Sequence, residues 1–212
     1  MSRVEEIYEL VLKGRAKDIS EKVAQAIDAG DDPKELMNSG MIAAMAEIGE
    51  RFSRGELFVP EMMISAKAMQ KGLETLKPFL SEEESAGIGT IVIATVAGDL
   101  HDIGKNLVAM MLESSGFEVI DLGCDVPVDA FIQAVKDNPN VSLVCASALL
   151  TTTMPAMKEI VNALIEAGLR DQVKVLIGGA PVTQKFCDEI GADGYGEDAA
   201  AAIRLAKGYI AA

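Results

Sequence analysis

The sequence predicts two parts of different class, a helical N-terminal part over residues 1–80 and a C-terminal α/β part over residues 88–212. In the first part, apolar residues such as Ile7 and Val11 recur at the spacing of amphipathic helices. In the second, short β-branched runs alternate with helical patterns, which is typical of a parallel sheet covered on both faces. The charged segment 81–87, which contains serines and ends in glycine, is the predicted linker between them.

Residues 1–80 are predicted to form a small four-helix bundle. The third helix begins at Asp32-Pro33, because aspartate is a good N-cap and proline is favoured in the first turn. Pro60 begins the fourth helix for the same reason. The predicted core stripe of the third helix consists of Met37, Met41, Met45, Ile48 and Phe52.

The C-terminal part is predicted to be a five-stranded parallel sheet of flavodoxin-like (Rossmann-like) order. Each predicted strand is followed by a helix, and ligands of such folds bind at the carboxyl ends of the strands. The predicted strands are 90–96, 117–122, 142–147, 173–177 and a short one near Gly194-Tyr195. The predicted helices are 104–115, 128–137, 155–167, 182–190 and 197–209.

Composition argues against some binding partners and indicates where the protein is located. A formal net charge of −14 argues against binding to nucleic acid, because the phosphates would be repelled. The longest apolar run is far short of the ~20 residues that cross a membrane, and no signal-peptide pattern is present, so a cytoplasmic location is expected. Cys124, Cys145 and Cys187 show no C-x-x-C spacing and are expected to be reduced thiols.

The segment Gly98–Asn106 carries the only histidine of the chain, His101, directly after the first predicted strand. One interpretation is a solvated polar loop. A second is a phosphate-binding loop of the form G-x-x-x-x-G-K-[ST]. Against it, the glycines are separated by five residues instead of four, Asn106 replaces the hydroxyl, and Asp99 and Asp102 would repel phosphate. The third interpretation is a metal-binding histidine.

A single histidine does not make an ordinary zinc or iron site, which takes three or four protein ligands. A macrocyclic cofactor supplies its own equatorial ligands and takes one axial ligand from the protein. Asp99 lies two residues before His101 and is a candidate to hold the second ring nitrogen, as carboxylates commonly do for metal-ligating histidines. Lys105 and Asn106 are expected to form a solvated helix start.

This loop and two later segments together resemble the cobalamin-binding signature D-x-H-x-x-G, then S-x-L, then G-G. The three parts occur in order, at a spacing close to that of the family, and each follows a predicted strand. A lone D-x-H-x-x-G is weak evidence, whereas three parts at successive strand ends are specific. The matching residues are Asp99, His101 and Gly104, then Ser147 and Leu149, then Gly178 and Gly179.

The resemblance implies that the chain binds cobalamin with His101 as the axial ligand to cobalt, in place of the cofactor's own benzimidazole. It also implies that Asp99 accepts a hydrogen bond from the imidazole. The resemblance further implies that a hydroxyl extends this relay. The matching position is Thr153, where methionine synthase has serine, although the neighbours Thr151 and Thr152 leave the assignment open. The other implied cofactor-binding residues are Asp102, Ile103, Gly104, Ser147, Leu149, Thr151, Gly178 and Gly179.

Two of these features have a simpler explanation. Gly178-Gly179 is implied to let the nucleotide tail of the cofactor approach the backbone, but a tight strand-to-loop turn also explains it. The turn between the third and fourth helices is apolar for a loop, and packing between the helices explains that. The resemblance instead implies a helical cap that covers the upper face of the cofactor with Phe52 and Val59. Methionine synthase has a leucine at the second of these positions.

Nearly the whole chain resembles the free-standing corrinoid protein of a three-component methyltransferase system. The resemblance implies a methyl carrier, in which Co(I) accepts a methyl group from a methylated substrate on one methyltransferase. Methyl-Co(III) then gives it to tetrahydrofolate or a thiol on a second methyltransferase. The implied partners are these two methyltransferases and a reductive activator of the corrinoid, and the protein is not catalytic alone.

Two alternatives remain. A cobalamin-binding regulatory sensor has a similar cap and binding domain, but such sensors usually carry a DNA-binding or signalling domain, and none is visible in the sequence. A receiver domain is a weaker alternative on fold alone. It needs a phosphoacceptor aspartate after the third strand, where this chain has Ser147-Ala148-Leu149.

Overall fold

The computed structural model describes residues 2–80 and 87–210. The chain divides into two compact units, one ending at Gly87 and including Ser114–Gly116, the other formed by Ile88–Glu113 and the residues from Phe117 onward. Of the predicted linker, residues 81–86 lie outside the described residues. The linker and the domain boundaries drawn from it therefore stay predictions.

The N-terminal unit is a four-helix bundle, as the sequence predicts. Its third helix is built from three consecutive pieces, and its fourth is extended by a short 3-10 turn. The bounds are α1 Arg3–Leu12, α2 Ile19–Asp28, α3 Pro33–Glu35, a π-helix Leu36–Ile42, α4 Ala43–Ser53, α5 Val59–Leu76 and a 3-10 helix Lys77–Phe79.

The helix starts follow from capping chemistry. At α1, the Ser2 hydroxyl accepts a hydrogen bond from the Glu5 amide, and the Ser2 amide donates to the Glu5 carboxylate, which completes a capping box. At α3, the Asp32 carboxylate accepts a hydrogen bond from the amide of Lys34, and Pro33 is the first helical residue. Between the helices lies a core of aliphatic and methionine side chains that includes Ile7, Val11, Ile19, Val23, Met62, Met69 and Leu76.

The third helix departs from the regular stripe that the sequence predicts. Over Leu36–Ile42 it is a π-helix, in which each hydrogen bond spans one residue more than in an α-helix. The extra residue rotates the buried face, so that Leu36 is buried and Met37 only partly so. Gly40 lies in this turn, where an added Cβ would be 3.1 Å from Cγ2 of Ile7, so the turn packs closely on α1. The rest of the stripe is Met41, Met45 and Ile48, all buried, and Phe52, partly buried.

The C-terminal unit is a five-stranded parallel sheet in the order β2-β1-β3-β4-β5, which is the predicted flavodoxin-like arrangement. Its strands are β1 Thr90–Thr95, β2 Glu118–Asp121, β3 Val141–Ser147, β4 Lys174–Gly178 and β5 Gly194–Gly196. Its helices are α6 Ile103–Glu113, α7 Val128–Asp137, α8 Pro155–Glu166, α9 Gln184–Ile190 and α10 Ala199–Ile210. These bounds differ from the predicted ones by no more than two residues.

The register of the central strands aligns their carboxyl ends. Thr95 at the end of β1 pairs with Ser147 at the end of β3, and Ser147 pairs with Gly178 at the end of β4. All six residues of β1 are buried, so the sheet is anchored in the core up to this edge. The loops that follow these three strands therefore start side by side. In the described part of the chain, no helix combines the length and apolar character that a membrane crossing requires.

Candidate cofactor site

The candidate site lies where β1 and β3 end. His101 sits in the loop between β1 and α6, and Leu149, Leu150 and Thr153 follow β3. Although Asp99 and Thr153 are 54 residues apart in sequence, their side chains are in direct contact. The structure thus brings together the first two of the three segments singled out from the sequence.

Asp99 is the centre of this contact. Its side chain is fully buried, and each of its oxygens accepts more than one hydrogen bond. Oδ1 accepts from the amide and from Nδ1 of His101, at 3.1 and 2.7 Å. Oδ2 accepts from the amides of Leu149 and Leu150, at 2.7 and 3.2 Å, and from the hydroxyl of Thr153 at 2.8 Å. A buried carboxylate needs such compensation, because it has lost its hydration.

These donors also determine the charge of Asp99. Burial by itself would raise its pKa, but the hydrogen bonds from the Leu149 amide, from His101 and from the Thr153 hydroxyl outweigh that effect. The pKa of Asp99 is held well below its usual range. The carboxylate is therefore ionised at neutral pH and acts only as an acceptor toward the imidazole.

His101, unlike Asp99, is accessible to solvent. Its side chain is 53% exposed, while its Nδ1 is bonded to the fully buried carboxylate of Asp99. Since ionised Asp99 can only accept, Nδ1 of a neutral imidazole carries the proton, and Nε2 carries the lone pair. This is the tautomer in which Nε2 can bind a metal.

The three threonines after β3 differ in what they reach. Thr153 is buried, and its Oγ1 lies within hydrogen-bond distance of Asp99 Oδ2 and, at 2.9 Å, of the Leu150 carbonyl oxygen. Thr151 and Thr152 are exposed. The geometry therefore selects Thr153, among the alternatives that the sequence leaves open, as the hydroxyl that contacts Asp99.

Large aliphatic side chains next to these polar groups are exposed. Ile103 is 87% exposed and Leu100 71%, and both flank His101 in the chain. Leu149 and Leu150, whose amides bind Asp99, are also exposed. Exposed aliphatic side chains concentrated beside a half-exposed imidazole are typical of a binding surface. Leu100 and Leu150 are not among the residues predicted from the sequence, since nothing in a single sequence distinguishes an exposed leucine from a core one.

Gly178 and Gly179 follow β4, beside Ala148. Gly179 has a φ of +125°, and an added Cβ would lie only 1.9 Å from the carbonyl oxygen of Ala148. The amide of Ala148 donates to the Gly178 carbonyl oxygen at 3.2 Å. The tight turn against the neighbouring strand end thus already requires glycine at Gly179. Ser147 and Ala148, at that strand end, are partly buried and buried.

The residues at the start of α6 divide into open and closed positions. Gly104 is open, since an added Cβ there would meet nothing within 4 Å. Asp102 is partly buried, and its carboxylate accepts a hydrogen bond from Nδ2 of Asn106 at 3.1 Å. The expectation that Lys105 is solvated is wrong. Its side chain is 2% exposed and forms an ion pair with Asp121. The first turn of α6 lies close to the end of β2, so the lysine side chain reaches Asp121 instead of solvent.

In the helical unit, Phe52 is partly buried near the end of α4, and Val59 is the exposed first residue of α5. Two neighbours that the sequence analysis does not single out are more exposed than Phe52. Phe58 is 70% exposed, and Met63, four residues after Val59 and hence on the same face of α5, is also exposed.

The arrangement fits a planar macrocycle that takes one axial ligand from the protein. The imidazole of His101 has a nitrogen with a free lone pair, and exposed aliphatic residues lie close to it in the sequence. A buried carboxylate holds the ring through its other nitrogen. Among the described residues, no three histidine, cysteine, aspartate or glutamate side chains form a cluster that could hold a metal ion by themselves.

Comparison with known proteins gives the family. Residues 89–204 match the family described as B12 binding domain, and residues 3–77 match a second family of the same description. The chain is 47% identical over 194 residues to the trimethylamine corrinoid protein of Methanosarcina barkeri, covering 90% of this chain and 88% of that one. It is 44% identical over 214 residues to the dimethylamine corrinoid protein of the same organism, with full coverage of both.

Two solved structures have the same architecture. A cobalamin-binding protein from Desulfitobacterium hafniense matches with a TM-score of 0.82 and 36% identity, over 99% of both chains. The methanol:cobalamin methyltransferase complex MtaBC from Methanosarcina barkeri contains a chain that matches with a TM-score of 0.88 and 35% identity, over 99% of this chain and 80% of that one. With both of its parts matched to B12 binding domains and its relatives similar over most of their length, the chain belongs to the family of cobalamin-binding corrinoid proteins.

Proposed function

We propose that this protein is a methyl carrier that holds cobalamin with His101 as the lower axial ligand to cobalt. The observation that carries the proposal is the contact between His101 Nδ1 and the buried, ionised carboxylate of Asp99. A solvated loop histidine has no need of a fully buried carboxylate, which is costly to desolvate and here accepts five hydrogen bonds. A metal-ligating histidine commonly has such a partner, because a carboxylate at the other ring nitrogen fixes the tautomer and the orientation of the ring.

Bound cobalamin supplies a cobalt ion that can accept and release a methyl group. The residues of this chain hold and tune it. His101 donates the axial nitrogen, Asp99 with Thr153 behind it sets how strongly that nitrogen donates, and Ile103 and Leu149 offer apolar surface beside the histidine. Further positions proposed to contact the cofactor are Asp102, Gly104, Ser147, Thr151, Gly178 and Gly179.

The contact of Phe52 and Val59 with the cofactor stays a prediction. Val59, Phe58 and Met63 are exposed. The turn after α4 and the start of α5 therefore offer apolar side chains to a ligand, which supports the prediction. Ile103, which is almost fully exposed, has the same property in the α/β unit.

The partners are proposed from the relatives. Two relatives are named for trimethylamine and dimethylamine, and a solved relative is part of a methanol:cobalamin methyltransferase complex. We propose that a substrate-specific methyltransferase delivers the methyl group to this chain and that a second one passes it to tetrahydrofolate or to a thiol. A reductive activator restores the corrinoid after adventitious oxidation. The chain performs half-reactions only together with these partners.

The ligand assignment is tested by loading the full chain with cobalamin and labelling its histidine with ¹⁵N. We expect the benzimidazole to be displaced, and the electron paramagnetic resonance spectrum of the Co(II) form to show coupling to the labelled nitrogen. The His101→Ala variant should lose this coupling, whereas Asn106→Ala, an exposed change in the same segment, should keep it. A spectrum that is identical in wild type and His101→Ala would show that His101 is not the ligand.

The carrier role is tested separately with candidate methyltransferases that act on trimethylamine, dimethylamine or methanol. We expect methylation of the reduced, cobalamin-loaded protein by one of them, followed by demethylation in the presence of a second methyltransferase and its acceptor. A protein that binds cobalamin through His101, but is methylated by none of the corrinoid methyltransferases tested, would favour the sensor instead.

A further inference from the structure

Thr95 makes a contact with His101 that the sequence gives no reason to expect. Its hydroxyl, in a residue with no exposed surface, donates a hydrogen bond to the backbone carbonyl oxygen of His101 at 3.0 Å. Thr95 is the last residue of β1 and lies six positions before His101. The loop between them therefore closes back on the strand from which it leaves.

The backbone of Thr95 is held on both sides. The amide of Thr95 donates to the Gly123 carbonyl oxygen at 2.9 Å, and the Thr95 carbonyl oxygen accepts from the Val126 amide at 3.1 Å. On the other side, Thr95 is in register with Ser147 of β3. A β-branched side chain in such a strand has a restricted χ1 angle, so its hydroxyl has a fixed direction.

This contact differs in kind from the others that His101 makes. Its amide and its ring nitrogen Nδ1 both bind one atom, Oδ1 of Asp99. Those two bonds share one anchor atom, and neither involves the carbonyl oxygen of His101. The bond from Thr95 fixes the carbonyl end of the residue and does not depend on Asp99. An axial ligand has to be held within about 0.5 Å and 10–20° of its working geometry, which one anchor atom does not ensure.

A threonine is also an unfavourable choice here unless its hydroxyl is needed. Valine fits a fully buried strand position at least as well, and a buried hydroxyl is costly without a hydrogen-bond partner. We infer that Thr95 is a positioning residue for the axial ligand, with its hydroxyl fixing the orientation of the His101 backbone and through it the orientation of the imidazole. The inference rests on the proposed function, because it takes His101 to be that ligand.

The test measures the ratio of histidine-ligated to histidine-free Co(II) cobalamin by electron paramagnetic resonance at one fixed pH. The variants are Thr95→Val, which removes the hydroxyl, Thr95→Ser, which keeps it, and His101→Ala, which defines the histidine-free signal. Thr90→Val is the matched control, because Thr90 is a buried threonine of the same strand whose hydroxyl binds Glu118 instead. Cofactor content and the unfolding midpoint of the apo form are recorded for each.

We expect Thr95→Val to lower the ratio about three- to tenfold, a typical effect of one lost hydrogen bond. Thr95→Ser should stay within about twofold of wild type, as should Thr90→Val. Equal ratios in Thr95→Val and wild type would overturn the inference, and so would an equal loss in Thr90→Val, which would point to general weakening of the strand. If Thr95→Val does not fold, Thr95→Ala is compared with Thr95→Ser, and equal ratios in these two overturn it.

Failure of the proposed function looks different. In that case wild type and His101→Ala give the same spectrum, whatever residue stands at position 95. If His101→Ala loses the ligated signal while every Thr95 variant keeps it, the ligand assignment holds and only the role of Thr95 is refuted.

Discussion

Oδ1 of Asp99 lies 2.7 Å from Nδ1 of His101, and this contact joins a fully buried carboxylate to a half-exposed imidazole. The two residues thus have different roles. Asp99 cannot move without breaking its bonds to the chain after β3, so it holds the ring from inside the protein. The ring in turn presents Nε2 outward. Changes in the hydrogen bonds of Asp99 should therefore reach a bound metal through the imidazole.

The first prediction uses opposite changes at the two ends of this relay. In Asp99→Asn, the ring loses its ionised acceptor, so Nε2 becomes a weaker donor and the Co(II)/Co(I) midpoint potential should become more positive. In Thr153→Val, Asp99 loses one donor and accepts more strongly from Nδ1, so the potential should become more negative. Spectroelectrochemical titration of the cobalamin-loaded variants measures both potentials. The affinity for cobalamin should fall by no more than about 10–100-fold, the typical effect of changing a residue that supports a metal ligand.

Two variants serve as controls for this prediction. Thr153→Ser keeps the hydroxyl and should match wild type. Thr152→Val changes an exposed neighbour and should also leave the potential unchanged. Shifts of the same sign in Asp99→Asn and Thr153→Val would show that the two side chains do not act on the ring in series.

The second prediction concerns stability in acid. The pKa of Asp99 in the folded chain lies well below its ordinary value of 3.8, so the unfolded chain binds this proton first as the pH falls. Its contribution to stability is complete above the unfolded pKa and is lost as the pH decreases toward the folded one. The free energy of unfolding of apo wild type should therefore decline below about pH 5, while Asp99→Asn, which has no such proton to bind, should decline less.

Urea unfolding from pH 7 to pH 3 checks this, with the difference between the two proteins expected to shrink as the pH falls. Asp31→Asn is the control, because the pKa of Asp31 is also lowered, by its hydrogen bond to Arg3, but in an exposed ion pair that solvent screens. Parallel pH curves for wild type and Asp99→Asn would contradict the prediction.

The third prediction is an asymmetry between the partners of an ion pair in which Lys105 is buried and Asp121 is exposed. The Lys105 side chain is 2% exposed and that of Asp121 is 35% exposed, and Asp121 also accepts a hydrogen bond from the Gly123 amide. Asp121→Asn leaves a buried ammonium without its counter-ion and should lower the free energy of unfolding by about 3 kcal/mol. Lys105→Met removes the buried charge instead and should cost about 1 kcal/mol or less.

Urea denaturation of the apo protein measures both single variants and the double variant. The double variant should be close to Lys105→Met, since the ammonium that makes Asp121→Asn costly is gone. Equal losses in the two single variants would show that the burial of Lys105 does not determine the energetics of this pair.

The sequence predicts what depends on local pattern and on topology. The three motif segments follow predicted strands, and parallel strands end at one edge, so the proximity of Asp99 to the segment at Leu149 could be anticipated. The burial of Lys105 could not, because it depends on where β2 ends relative to α6. The π-helix over Leu36–Ile42 could not either, since it accompanies the close packing of Gly40 on α1. The same holds for the bond from Thr95, which needs the exact path of the loop.

The last prediction contrasts two glycines of the signature. At Gly179, a Cβ would lie 1.9 Å from the Ala148 carbonyl oxygen, and the φ of +125° strains any other residue, so Gly179→Ala should destabilise the apo protein by several kcal/mol. At Gly104, which lies in the first turn of α6, a Cβ would meet nothing, so Gly104→Ala should leave the apo protein as stable or up to about 1 kcal/mol more stable.

Gly104→Ala should have its effect on cofactor binding instead, if the open space at Gly104 is where the cofactor approaches the backbone. Gly104→Ala should then weaken cobalamin binding about tenfold or more, through a methyl group that the protein alone tolerates. Calorimetric titration of the apo variant with cobalamin, beside its urea unfolding curve, separates the two quantities. Unchanged affinity in a stable Gly104→Ala protein would mean that this glycine serves the start of the helix and not the cofactor. Because the destabilisation at Gly179 is already explained by Ala148, Gly104 is the position at which the signature can be tested for ligand contact without disturbing the fold.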